Sequence, residues 1–147
     1  MNVLSLFDGM SCGQIALKKL GAKVNTYYAS EIDKYAISIV EKNFPKTVHL
    51  GDVTTVKRED FNPYFELDLL IGGSPCQGFS KSGNRLNFED PRSKLFFEFV
   101  RILRQCKPKY FLLENVVMNK ESQAIITEYL GVEPIEINSN LVSAQSR

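Results

Sequence analysis

A single cysteine stands between a proline and a glutamine in the segment GGSPCQGFS, which spans residues 72–80 and directly follows the apolar run LDLLI. A thiol on a glycine-flanked turn at the end of a strand can act as a nucleophile, in which case it reacts as the thiolate. Most free cysteines are instead inert members of a core. Cys76 by itself is compatible with both roles, and the accompanying residues decide between them.

Acidic residues follow other apolar runs of the chain. Glu31 follows NTYYAS, Asp52 lies in GDV, and Glu114 follows YFLL. Ligands of open parallel sheets bind beyond the carboxyl ends of the strands, and an acidic residue about 20 positions past a glycine turn typically binds ribose hydroxyls. The alternative is that Glu31 or Asp33 only caps the helix that follows.

The glycine turn itself is FDGMSCG, residues 7–13, in which Gly9 and Gly13 bracket the entry to a helix. Such a turn can present backbone N–H groups to a polar ligand. The chain has no GxxxxGK[ST] phosphate loop, and the turn lacks the full GxGxxG spacing. An adenosine cofactor without phosphates, such as S-adenosylmethionine, therefore fits better than a dinucleotide.

Short apolar runs alternate with helical patterns along the chain. The predicted strands include NVLSLF, NTYYAS, LDLLIGG, KYFLLE and PIEINSNLV, and the predicted helices are QIALKKLG, KYAISIVEKNF, KLFFEFVRILRQC and SQAIITEYLG. This alternation predicts an α/β fold with a mostly parallel sheet and helices on both faces. The clearest helix covers residues 93–106, with Cys106 in the core, and the polar stretch 76–94 is predicted to be a functional or mobile loop.

Length and composition predict one domain over residues 1–147, since the chain has 44% hydrophobic residues and a formal net charge of only +1. No apolar run approaches the roughly 20 residues of a bilayer span, and no leader precedes the first strand, which predicts a soluble cytoplasmic protein without a membrane partner. Three widely spaced cysteines and a single histidine, His49, predict reduced thiols and no metal site.

Seven segments in order resemble the motifs of the DNA (cytosine-5) methyltransferase family: FDGMSCG, SEID, GDV, GGSPCQGFS, LFFEFVRIL, LLENV and the final QSR. The resemblance runs nearly end to end, and PCQ followed by ENV is highly specific. It implies a Rossmann-like S-adenosylmethionine-dependent methyltransferase fold, double-stranded DNA as partner, and methyl transfer to C5 of cytosine. It also implies a bacterial or phage-encoded protein of the cytoplasm or nucleoid.

The resemblance also implies roles for individual residues. Cys76 would attack C6 of a flipped cytosine, and Glu114 would hydrogen-bond the N3 and amine of that base. Pro75 would stiffen the turn that carries the thiol, and Arg147 would be the first arginine of the pattern Gln-x-Arg-x-Arg. The implied cofactor residues are Phe7, Asp8, Gly9, Met10, Ser11, Cys12, Glu31, Ile32, Asp52, Val53, Pro75 and Leu95. The implied DNA contacts from the loop of about 77–94 are Lys81, Ser82, Arg85 and Arg92.

Family members continue beyond the pattern that here stops at Arg147. The closing strands, the late segment of the cofactor pocket and the target recognition domain are therefore expected to be missing. Three interpretations stay open: the catalytic core of a DNA cytosine-5 methyltransferase; a cofactor-binding fragment or half of a split enzyme that needs a partner chain with the target recognition domain; and an RNA cytosine-5 methyltransferase.

Overall fold

The fold is built on a five-stranded parallel sheet in the order β3-β2-β1-β4-β5. The structure, a computed structural model, describes residues 1–61, 64–75 and 91–141, with the backbone alone at 91–93. The strands are β1 (Asn2–Leu6), β2 (Thr26–Ser30), β3 (Val48–His49), β4 (Leu69–Gly72) and β5 (Tyr110–Leu113). Leu6 pairs with Ser30 on one side and with Gly72 on the other, so neighbouring strands end level with one another.

Helices connect most of the strands. They are α1 (Cys12–Lys19), α2 (Lys34–Asn43), α3 (Pro91–Cys106) and α4 (Lys120–Leu130), and one-turn 3₁₀ helices cover Val53–Thr55, Arg58–Asp60 and Ser139–Leu141. Local chemistry fixes the helix ends: Asn119 accepts a hydrogen bond from the N–H of Ser122, and Gly131 ends α4 in the left-handed conformation that glycine adopts without strain.

Both faces of the sheet are covered, because successive side chains of a strand point to opposite faces. Leu4 and Leu6 of β1 and Leu70 of β4 pack with Phe99 and Ile102 of α3 in the main core cluster. On the opposite face, Val3, Tyr27 and Ala29 form a second cluster, against which Leu17 of α1 packs. The helices therefore lie on both sides of the sheet, as the sequence predicts.

The strand order reverses between β1 and β4, which are neighbours in space although two strands separate them in sequence. In doubly wound sheets this switch point opens a crevice at the carboxyl edge where ligands bind. The packing just behind it is close: a Cβ on Gly72 would lie 3.0 Å from the Phe99 ring and 3.1 Å from the Leu6 carbonyl oxygen. Glycine at this strand end is therefore a steric requirement of the sheet and helix.

Three details differ from the sequence-based expectations. The segment PIEINSNLV forms no strand over its described part, residues 134–141, where Ile135 and Ile137 are exposed and only a 3₁₀ turn follows. Helix α3 begins at Pro91, so residues 91–94 are helical and do not belong to the preceding loop; proline suits a first helical position because the N–H it lacks has no partner there. Cys106 is half-buried against the main cluster, and burial raises the pKa of its thiol.

Across the described ranges, no helix is both long enough and apolar enough to cross a membrane.

Leu70, completely buried on β4 beside the central strand β1, tests this packing. Leu70→Ala should lower the free energy of unfolding by about 2–5 kcal/mol, because it leaves a cavity between β4 and α3. Leu20→Ala is the matched control, since the Leu20 side chain is 81% exposed, and it should change stability by about 0.5 kcal/mol or less. Chemical denaturation measures both; equal losses would contradict this description of the core.

Candidate functional site

The turn between β1 and α1 has an unusual backbone. Phe7, Gly9 and Ser11 all have positive φ, at 58°, 57° and 62°. Glycine adopts this region freely, whereas Phe7 and Ser11 are strained there at a cost of order 1 kcal/mol each. Side chains from the surrounding elements must therefore hold the turn in place.

The Asp8 carboxylate holds the turn from below. Its Oδ1 accepts a hydrogen bond from the Tyr27 hydroxyl at 2.8 Å, and its Oδ2 accepts one from the Ser11 hydroxyl at 2.5 Å. Gln14 extends the network by donating to the Ser11 and Thr47 hydroxyl oxygens, both at 2.9 Å. Burial, and next the Asp8 charge, raise the pKa of Tyr27, so its hydroxyl stays protonated as a donor.

Glu31, the first residue after β2, binds the same turn from the side. Its Oε2 accepts a hydrogen bond from the Gly9 N–H at 2.8 Å, while its Oε1 accepts from the N–H groups of Ile32 and Asp33 at 2.8 and 2.9 Å. Asp33 is the residue that caps α2, since its carboxylate accepts from the N–H groups of the first turn. The two acidic residues of SEID thus have separate tasks.

Asp52 lies on the turn after β3. Its Oδ1 accepts hydrogen bonds from the backbone N–H and the hydroxyl of Thr54, at 2.9 and 2.8 Å, and these bonds hold the pKa of the carboxyl below its usual value. Asp52 is exposed, whereas the side chain of Val53 is buried in the main core cluster. Only the backbone of Val53 is therefore available to a ligand. Ile32 is 71% exposed and offers an apolar surface at this edge.

The ends of β4 and β5 bring Glu114 beside the segment that leads to Cys76. The Glu114 N–H donates to the Gly72 carbonyl oxygen at 2.8 Å, which extends the ladder one residue past β5. A Cβ on Gly73 would lie 3.1 Å from Glu114 Oε2, so the carboxylate lies over the exit of β4. Asn115 accepts a hydrogen bond from the Val116 N–H at 2.8 Å and fixes the chain beyond.

The predicted site residues thus fall into two groups. Those that follow the described strands share the carboxyl edge: Phe7, Asp8, Gly9, Met10, Ser11, Cys12, Glu31, Ile32, Asp52, Val53, Pro75 and Glu114. Leu95 lies in the first turns of α3, half-buried against the main cluster. Cys76, Lys81, Ser82, Arg85 and Arg147 lie outside the described residues, and Arg92 is described by its backbone alone. Among residues 1–61, 64–75 and 94–141, no group of three or more His, Cys, Asp and Glu side chains could hold a metal ion.

Sequence reasoning missed Tyr27. Its position inside β2 fits a buried aromatic residue, and its ring is indeed in the core at 3% exposure. The functional part is its hydroxyl, which reaches Asp8 only because β1 and β2 are adjacent in the sheet. The sequence signal for this role is that a tyrosine in a buried strand needs a hydrogen-bond partner for its hydroxyl.

Parallel strands and an order reversal define a Rossmann-like α/β domain, a class of fold in which ligands bind at the switch point. The family model described as C-5 cytosine-specific DNA methylase matches residues 1–128. The chain therefore belongs to the C-5 cytosine-specific DNA methylase family.

Relatives and solved structures agree with this assignment. The orphan methyltransferase M.SPRI of Bacillus phage SPR is 41% identical over 118 residues, and the type II methyltransferase M1.ScrFI of Lactococcus lactis subsp. cremoris is 41% identical over 114. These alignments cover 79% and 78% of this chain but 26% and 28% of the relatives, so the chain spans about a quarter of their length.

The fold is similar to two solved structures. The S. pombe Dnmt2 methyltransferase is 28% identical with a TM-score of 0.67, over 89% of this chain and 40% of that one. A Spodoptera frugiperda DNMT2 mutant is 27% identical with a TM-score of 0.64, over 88% and 40%. The predicted Rossmann-like methyltransferase fold is thereby confirmed.

Tyr27→Phe tests the support of the glycine turn by removing one hydroxyl. Because that hydroxyl donates to a carboxylate, the change should lower the free energy of unfolding by about 1–3 kcal/mol. Tyr28→Phe is the matched control on the next residue, whose ring packs edge-on against Phe61 and Phe65. Urea denaturation should find the control close to wild type; equal effects would contradict the role assigned to the Asp8 pair.

Proposed function

We propose that this chain supplies the catalytic and cofactor-binding portion of a DNA cytosine-5 methyltransferase, which transfers a methyl group from S-adenosylmethionine to C5 of a flipped cytosine. The observation that carries the proposal is the position of Glu114. Its carboxylate lies over Gly73, three residues before Cys76, at the end of the neighbouring strand. Cys76 follows β4 by four positions in the sequence, and β4 is the neighbour of β5, the strand that Glu114 directly follows.

The residues of the carboxyl edge fit an adenosine cofactor. The Glu31 carboxylate uses three of its roughly four acceptor sites for backbone N–H groups, which leaves capacity for a ribose hydroxyl. Exposed Ile32 provides an apolar surface for a flat ring, and the Asp52 carboxylate an acceptor for an exocyclic amine. Phe7, Met10 and the rest of the turn to Cys12, with Pro75 and Leu95, would complete the pocket. S-adenosylmethionine, when bound there, supplies the methyl group as an electrophile.

Cys76 and Glu114 would perform the chemistry on the base. The Cys76 thiolate adds to C6 of the cytosine, which moves electron density to C5 and makes that carbon nucleophilic. Glu114 donates a hydrogen bond or a proton at N3 and so stabilises the adduct. Once C5 carries the methyl group, loss of the C5 proton to a base and elimination of the Cys76 thiolate from C6 would restore the aromatic ring and the free cysteine. Pro75 restricts the backbone before the thiol. Arg147, the arginine of the final QSR, is the fourth catalytic residue that we propose.

Double-stranded DNA is the proposed substrate. Lys81, Ser82, Arg85 and Arg92 are the residues that we propose for phosphate and backbone contacts, since cationic and hydroxyl side chains supply most such contacts. Lys81, Ser82 and Arg85 lie in sequence between β4 and α3, and Arg92 lies in the first turn of α3, so all four follow the proposed nucleophile. DNA bound by this segment would therefore be held close to Cys76.

A second candidate is a methyltransferase portion that works only with further polypeptide, from the same chain or from a complementing chain that carries the target recognition domain. The exposure of β5 favours it: Tyr110 and Leu112 are 71% and 62% exposed and point to the same face of the sheet. Alternating exposed apolar residues on a strand typically mark a surface that another element covers. The chain spans about a quarter of the length of these relatives, which agrees with a requirement for further polypeptide.

Cofactor binding is tested by Ile32→Ser. The Ile32 side chain is mostly exposed, so the change should leave stability within about 0.5 kcal/mol but weaken S-adenosylhomocysteine binding about tenfold, because apolar contact with the adenine is lost. Ile135→Ser, at 84% exposure in the C-terminal region, is the matched control. Calorimetry gives the affinities; equal binding by Ile32→Ser and wild type would rule out the proposed pocket.

The nucleophile is tested by Cys76→Ser in the chain supplied with the polypeptide that completes the family length. The change should abolish the covalent adduct with a 5-fluorocytosine duplex, seen as a shifted band under denaturing conditions. Cys106→Ala, in the half-buried cysteine of α3, should retain the adduct. The same assay with 5-fluorocytosine RNA distinguishes the substrates, and an adduct that survives Cys76→Ser would exclude Cys76 as the nucleophile.

A further inference from the structure

Arg101 of α3 binds the 3₁₀ turn that follows β3. Its Nη1 donates to the Val56 carbonyl oxygen at 2.8 Å, and its Nη2 donates to the Val53 carbonyl oxygen at 3.0 Å. Glu98 and Gln105, on the preceding and following turns of the same helix, accept from Nε and Nη1 at 2.7 and 2.9 Å. The guanidinium is therefore held by its own helix while it serves two backbone carbonyls of another element.

The 3₁₀ turn ends at Thr55, so the Val56 carbonyl lies beyond its helical hydrogen bonds, while the Val53 carbonyl oxygen accepts a bond of 3.3 Å from the Val56 N–H. Arg101 supplies a donor to the first of these carbonyls and a second donor to the other. Val53 and Val56 are 5% and 1% exposed, so these carbonyls belong to residues packed in the core and have little access to water. Asp52 starts this turn and accepts the N–H of Thr54 within it. Arg101 thus fixes the far end of the short helix whose near end carries the Asp52 carboxylate.

We propose that Arg101 is a positioning residue that sets the location of Asp52 for recognition of the cofactor's adenine amine. The inference rests on the proposed function, in which the Asp52 edge holds the adenine. Oδ1 of Asp52 is committed to Thr54, and among the hydrogen bonds of the described residues none goes to Oδ2. Oδ2 is therefore the acceptor that Arg101 would hold in position for the adenine amine.

Arginine is suited to this task in a way that lysine is not. Its planar fork presents several N–H groups in fixed directions, so that one side chain reaches both carbonyls and both helix partners at once. A lysine ammonium in its place lacks this fork and would lose one of the two hydrogen bonds to the turn. The same helix, α3, also carries Leu95 of the proposed cofactor pocket, and it follows the segment that contains Cys76 in the sequence.

The experiment compares Arg101→Met, Arg101→Lys and Arg104→Met in the full chain. Arg104 is the matched control, an exposed arginine one turn further along α3 whose guanidinium lies 5.7 Å from the centre of the Tyr129 ring. Calorimetry measures the affinities for S-adenosylhomocysteine and S-inosylhomocysteine, which carries a carbonyl in place of the amine. Thermal unfolding is recorded for each variant, and binding is measured well below its melting temperature.

Arg101→Met should weaken S-adenosylhomocysteine binding about tenfold, the equivalent of one lost hydrogen bond, and should reduce the preference for the adenine over the hypoxanthine ligand. Arg101→Lys should fall between, and Arg104→Met should match wild type. A lower melting temperature with unchanged affinity and preference would make Arg101 purely structural and overturn the inference. If Arg101→Met does not fold, the affinity and the ligand preference of Arg101→Lys test the inference instead.

Failure of the proposed function has a different signature. Wild type would then bind neither ligand, or would bind both equally, and Arg101 would have no cofactor to position. Amide hydrogen exchange adds a readout without any ligand: Arg101→Met should speed exchange at the Thr55 and Val56 N–H groups, which donate within the 3₁₀ turn. Unchanged exchange at these groups would contradict the conclusion that Arg101 stabilises the 3₁₀ turn.

Discussion

The turn between β1 and α1 keeps its shape because two carboxylates bind it, Asp8 from within and Glu31 from the neighbouring strand end. Without them, the positive φ angles of Phe7 and Ser11 would favour relaxation to ordinary backbone. Both carboxylates depend on the parallel pairing of β1 with β2, since Tyr27 and Glu31 belong to that second strand and its end. The shape of the turn therefore depends on the register of β1 and β2.

Each strand end presents a different group at the carboxyl edge of the sheet. The β1 and β2 ends present a fixed backbone turn and a carboxylate, the β3 end presents Asp52 on a short helix, and the β4 and β5 ends bring Glu114 over Gly73. The first three lie on one side of the switch point and the last two on the other. Helix α3 packs beneath strands from both sides of the switch point, since Phe99 lies in one cluster with Leu6 of β1 and Leu70 of β4.

Much of this arrangement could be predicted from the sequence, because apolar periodicity and glycine placement are local signals. The parallel sheet, helix α3 and the acidic strand ends all followed from them. The Arg101 contacts could not, since they join residues 45 or more positions apart and the helical pattern marks Arg101 only as a polar position. The segment PIEINSNLV misled for a related reason: alternation indicates a face that can be buried, but a strand also needs a neighbour to complete its hydrogen bonds.

The outer edge of β5 has a consequence for how this polypeptide behaves in solution. In the part of the chain that the structure describes, β5 pairs with β4 alone, and its free side presents unpaired N–H and C=O groups beside the exposed Tyr110 and Leu112. An open, apolar strand edge is a template on which another strand can pair, including the same strand of a second copy. Pairing at this edge would become more favourable as the protein concentration rises, and lysine substitutions along β5 would oppose it.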